Sequence, residues 1–144
     1  MYAALRTLPV PDDVVARLFH AASLLREHRG DGHIAALMVE GVGGLEAHVL
    51  LALDMNMPAE KFGRIHHLPL AQLAAVIDGM RRRTLIGDDG WLSERGRAVK
   101  QRVESLTDDL AAKPYESLDA RELDELMTNL EPLATLLLAA QDFG

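Results

Sequence analysis

The stretch Leu70–Arg102, LAQLAAVIDGMRRRTLIGDDGWLSERGRAVKQR, decides how the rest of the chain is read. Leu70, Leu73, Ile77 and Met80 recur at helical spacing, so a helix over 70–83 with one apolar face is expected, running into Arg81-Arg82-Arg83. Gly87-Asp88-Asp89-Gly90 is a turn signal, and Thr84-Leu85-Ile86 and Trp91-Leu92 on either side of it read as two short paired strands. Ser93 is placed to cap a second helix, with Glu94 in its first turn and Val99, Val103, Leu106 and Leu110 along one face. The predicted order is helix, short hairpin, long helix.

Outward from this stretch the pattern stays helical. Residues 1–11 hold two prolines and read as an extended lead-in. Asp12 or Asp13 caps a helix reaching about His28, which Gly30-Asp31-Gly32 is expected to break or kink before helix resumes from His33 to Glu40. Helices are expected over 45–53 and from 59 to about 66, the latter opened by Pro58. Lys113-Pro114 ends the helix that Ser93 begins. From Asp119, Leu123, Leu126, Leu130, Leu133, Leu137 and Ala140 follow alternating three- and four-residue steps, with a kink expected at Pro132. Beyond that proline the helix is apolar nearly all round, and a partner subunit is its simplest cover.

Composition narrows the function. With 144 residues and no cysteine, the chain suits one domain with neither disulfides nor thiolate metal sites. No apolar run approaches the roughly 20 residues of a membrane span, so a cytoplasmic protein without membrane contact is expected. The formal charge of −7 is unevenly dealt: 61–102 carries nine basic and four acidic residues, while both flanks are acidic. A basic middle is what a nucleic-acid-facing segment needs.

These elements spell a mostly α winged helix-turn-helix with long N- and C-terminal dimerisation helices and a short β-hairpin wing. The expectation is a single domain over 1–144. Within it, 12–41 and 119–142 serve as dimerisation helices, 43–92 as the winged core and 93–113 as a linking helix.

The succession resembles MarR-type regulators. More specifically, Leu24-Leu25-Arg26-Glu27-His28-Arg29-Gly30-Asp31-Gly32-His33, Gly44-Leu45-Glu46-Ala47-His48 and Thr107-Asp108 resemble an actinobacterial helix-turn-helix family. That resemblance implies a preceding half, so the chain reads as a C-terminal half or a short relative. It also implies a homodimer that binds double-stranded operator DNA and releases it on binding a small molecule. Phosphate contacts are expected from Lys61, Arg64, Arg81, Arg82, Arg83, Arg95 and Arg97, with Gln72 nearest a base edge. Asp78 and the acidic turn tip Asp88-Asp89 oppose them.

A second constellation, His28, Arg29, Asp31, His33, Glu46 and His48, reads as a ligand pocket or a structural polar network. Its spacing lacks a compact chelating pair, so neither metal nor cofactor is expected. His66-His67 precedes the reading helix and either could touch a phosphate. Trp91 is expected to plug the wing onto the core. No G-x-S-x-G, phosphate-binding loop or H-E-x-x-H is present, and no enzyme is expected. The alternatives are a winged-helix protein without DNA binding that takes a small molecule or forms half of a larger protein, and, third, an enzyme using His33, Glu46 and His48.

Overall fold

The computed structural model describes residues 1–62 and 67–141, which form two compact units, 1–111 and 112–144. The first holds α1 (Tyr2–Leu5), α2 (Val14–Val39), α3 (Gly44–Asp54), a 3-10 turn (Ala59–Lys61), α4 (Leu70–Arg82) and α5 (Glu94–Ala112). The second holds a 3-10 turn (Lys113–Ser117) and α6 (Ala120–Gln141).

One apolar cluster organises the first unit. Ala36 and Val42 at the end of α2 join Val49, Leu50 and Leu53 of α3, Leu73 and Met80 of α4, and Val99 and Val103 of α5. Leu85, Ile86 and Leu92, from the α4–α5 connection, complete it. The expected β-hairpin wing is absent: among the described residues there is no strand, only an isolated antiparallel bridge between Ile86 and Leu92. The reason lies in burial. Leu85, Ile86 and Leu92 all point into the core, so the connection lacks the alternation of inward and outward residues that a free ladder needs. Leu92, not Trp91, is the plug, since Trp91 is 39% exposed.

Three helices end alike. The residue after the cap has positive φ at Gly41 (63°), Asn56 (55°) and Thr84 (58°). The next amide reaches back five residues, as in Val42 N to Leu37 O, Met57 N to Ala52 O and Leu85 N to Met80 O, at 2.8–2.9 Å. This is the Schellman ending, which satisfies carbonyls that the last turn leaves open.

Two expectations around α2 are corrected. The helix runs without a break through Gly30-Asp31-Gly32. A β-carbon on Gly32 would stand 3.1 Å from Leu110 Cβ, so this glycine marks a close approach of α2 to α5 rather than a helix end. The lead-in is not wholly extended either. Tyr2–Leu5 makes one helical turn, tied to α2 by Tyr2 N–H donating to Asp31 at 3.1 Å and by an edge-on contact of the Tyr2 and His28 rings.

Of the helix expected over 59–66, Ala59–Lys61 forms a 3-10 turn and Phe62 is extended, while 63–66 lie outside the described residues. In the second unit, Asp119 and Glu122 form a reciprocal capping box at the start of α6, which continues through Pro132. Met127, Leu136, Leu137 and Leu138 of α6 are each about two-thirds exposed.

Candidate nucleic-acid interface

Helix α4 carries the expected reading residues, and its register follows from what it buries. Leu73 and Met80 face the core, and Ile77 is half-buried. That leaves Ala71, Gln72, Ala75, Asp78 and Arg82 exposed. Leu70, expected to face inward, is 77% exposed.

The C-terminal end of α4 is anchored by Arg83. Its Nη1 donates to both oxygens of Glu46, at 2.8 and 2.9 Å, and its Nη2 donates to the carbonyl of Gly41 at 2.8 Å. Glu46 also accepts the Gly43 amide at 2.9 Å, closing the first turn of α3. One guanidinium therefore joins the end of α2, the start of α3 and the end of α4. A fork with this many fixed acceptors is geometrically specific.

The other expected phosphate contacts divide by what they already hold. Arg81 lies 3.3 Å from Asp78 in an exposed i, i+3 pair, and Arg97 donates to the Leu92 carbonyl. Lys61, Arg82 and Arg95 are exposed, with no hydrogen bond or ion pair among the described residues. Arg64 and His66 lie outside the described residues, and His67 is exposed. The Gln72 side chain is exposed and makes no hydrogen bond among the described residues. Among the described residues, the expected phosphate contacts that hold no partner are thus Lys61, Arg82 and Arg95.

The second constellation does not assemble into one pocket. Asp31 binds the α-amino group of Met1 and the Tyr2 amide, which together hold its carboxyl below the usual range. Glu46 is taken by Arg83, and His48 Nδ1 lies 2.8 Å from the Gly44 carbonyl in its own helix. His28 packs on Tyr2 with Nδ1 buried and unbonded. Arg29 and His33 face α5 instead.

That α2–α5 seam is better knit than the sequence suggested. His33 Nδ1 lies 3.0 Å from the hydroxyl oxygen of buried Thr107, whose own proton goes to the Val103 carbonyl at 2.7 Å. The hydroxyl has one proton, so His33 Nδ1 is the donor. Arg29 stands 3.5 Å from both Glu104 and Asp108, and Lys100 bonds Glu104. The Lys100 hydrogen bond is the main reason the Glu104 carboxyl sits below its ordinary value, against the opposing effect of burial. Arg102 does the same for Glu40, at 2.7 and 3.0 Å. The cleft beside His33 and Lys100 is about 50 Å3, space for one or two waters. Glu104 and Thr107 are not visible as site residues in the sequence, because their α2 partners, Arg29 and His33, lie about seventy positions away.

A model of a helix-turn-helix family matches residues 1–144. The chain belongs to this helix-turn-helix family. Membership suggests a DNA-binding regulator. No curated protein and no solved structure matches the chain. Among the described residues, no single helix is long and apolar enough to cross a membrane, and no three His, Asp or Glu side chains group as metal ligands would.

Proposed function

We infer that this helix-turn-helix protein is a MarR-like transcription regulator that binds double-stranded DNA as a homodimer and has no catalytic step. One observation carries the reading. The exposed side of α4 presents the side chains of Gln72 and Arg82 without partners among the described residues, while Arg81 and Arg83 are engaged. Arg82, with Lys61 and Arg95, supplies the phosphate contacts, and Gln72 supplies the single base-reading group. The homodimer is supported by apolar side chains that one copy leaves bare: Val14, Val15 and Phe19 of α2, and Leu136, Leu137 and Leu138 of α6. Burying them against a second copy removes them from water.

The test is duplex binding as a function of salt, with sedimentation under the same conditions. Three phosphate contacts from each of two protomers give a log–log slope of about −5. A monomer at micromolar concentration refutes the dimer. Failure to retard any duplex at low salt refutes DNA binding, and favours a protein that keeps the helix-turn-helix scaffold for a small molecule or as half of a larger assembly. That second reading is supported by the carboxylates of Asp78, Asp88 and Asp89 on and beside α4, which repel phosphate.

A further inference from the structure

Another feature lies beside the exposed face of α4, and DNA binding makes no use of it. Two cavities of about 190 and 300 Å3 flank the helix. Glu60, Ile77 and Arg81 line both, so together they form one groove. Leu73 and Ile77 make its floor apolar, and Leu70, 77% exposed, stands at one end. Trp91 lines the other end. It is the only tryptophan in the chain, and it stays 39% exposed because Leu92 takes the neighbouring core position.

The charges around this apolar floor are mostly negative. Among the described lining residues, Glu60, Asp78 and Asp89 face one cation, Arg81. Arg81 is paired with Asp78, and Asp89 accepts the Trp91 amide at 3.0 Å. Glu60 is exposed with no partner among the described residues, and it is the carboxylate that borders both cavities. The groove thus offers an apolar bed, an indole at one end and an uncommitted carboxylate at its middle.

We propose that this groove binds a small amphiphilic organic cation. Its ammonium group sits against Glu60, and its aliphatic or aromatic body lies over Ile77 with one end on Trp91. The indole offers the far end of that body a large apolar face to pack on, while Glu60 supplies the charge that holds the ammonium. An anion of the same shape meets three carboxylates and is repelled. The larger cavity alone reaches the lower end of the size range of small-molecule pockets. The site stands whether or not α4 contacts DNA.

Trp91 makes the test direct, because its fluorescence is the chain's only tryptophan signal. The full chain is titrated with 4-phenylbutylammonium, 4-phenylbutanol and 4-phenylbutyrate, three probes with one body and different charge. The ammonium should give a saturable Trp91 shift at about three- to fivefold lower concentration than the alcohol, and the butyrate none. Glu60→Gln should bring the ammonium down to the level of the alcohol while leaving the melting temperature unchanged. Ile77→Ser should weaken the ammonium and the alcohol alike. Equal responses to all three probes, no response to the ammonium, or an unchanged preference in Glu60→Gln each overturns the proposal. A Trp91 spectrum that depends on protein concentration without probe assigns the groove to a second copy. A shift produced by duplex DNA and not by the amine assigns it to nucleic acid. Either result also overturns the proposal.

Discussion

Gly96 lies so close to Leu85 that a β-carbon built on it would stand 2.1 Å from the Leu85 carbonyl oxygen. The neighbour is backbone, so it cannot swing aside as a side chain would. The same turn is pinned by Ser93, whose hydroxyl accepts the Gly96 amide at 3.0 Å and donates to the Thr84 carbonyl at 2.6 Å. Gly96→Ala must therefore push α5 away from the buried Leu85, with a cost of about 2–4 kcal/mol. Denaturant unfolding should show this as a lower midpoint. An unchanged midpoint would mean that α5 does not approach the connection as closely as described.

Thr84 adopts φ 58°, a left-handed conformation that a β-branched residue takes at a cost of about 1–2 kcal/mol. Asn56, at the matching position after α3, shows the residue type that tolerates it. Thr84→Asn should keep the Schellman ending and stabilise the protein by about 0.5–1 kcal/mol, a rise in melting temperature of about 2–4 °C. Thr84→Val should lack this gain, because it keeps the branched β-carbon. Calorimetry on the three proteins checks the order.

Comparing these elements with the sequence shows which physics is local. The helices over 70–83 and 45–53 were legible from the apolar pattern, and Ser93 and Asp13 were legible as caps because each acts within three residues. Gly30 and Gly32 misled, because helix propensity disfavours them while the tertiary approach of Leu110 favours the second. The hairpin misled for a related reason. Leu85, Ile86 and Leu92 have strand-like composition, yet the core formed by α3, α4 and α5 takes all three. Site residues were least legible where they pair at long range. Glu46 was read with the histidines, whereas its partner, Arg83, was read as a DNA contact.

Stability should fall in mild acid. The Glu40 and Glu104 carboxyls are held below their ordinary value of 4.5 by hydrogen bonds from Arg102 and Lys100. A carboxylate with a depressed folded-state value stabilises fully above its unfolded value and loses that contribution as pH falls through the folded one. The loss therefore begins near pH 4.5 and grows below it. Glu40→Gln and Glu104→Gln should each lower stability at neutral pH and flatten its decline in acid. Urea midpoints measured across this range, with an equal acid slope in wild type and both variants, would place the acid sensitivity elsewhere.

Arg82 and Arg83 are adjacent in sequence and opposite in role, which gives the sharpest test of the interface. Arg82 is exposed without a partner among the described residues, whereas Arg83 is committed to Glu46 and Gly41. Arg82→Ala should leave the melting temperature within about 1 °C, as for most surface substitutions. If α4 meets DNA, it should weaken all duplexes alike and reduce the salt slope by about 1 per protomer. Arg83→Ala leaves Glu46 and the Gly41 carbonyl without their donor at the junction of three helices. Both side chains are partly solvated, so the expected cost is about 1–2 kcal/mol rather than that of a buried pair. Arg83→Lys should recover only part of it, because a single ammonium cannot reproduce the two-oxygen grip and the carbonyl bond together. Paired melting and duplex titrations on the three variants separate the roles. Equal losses of affinity at unchanged stability would mean that Arg83 leaves Glu46 to meet phosphate.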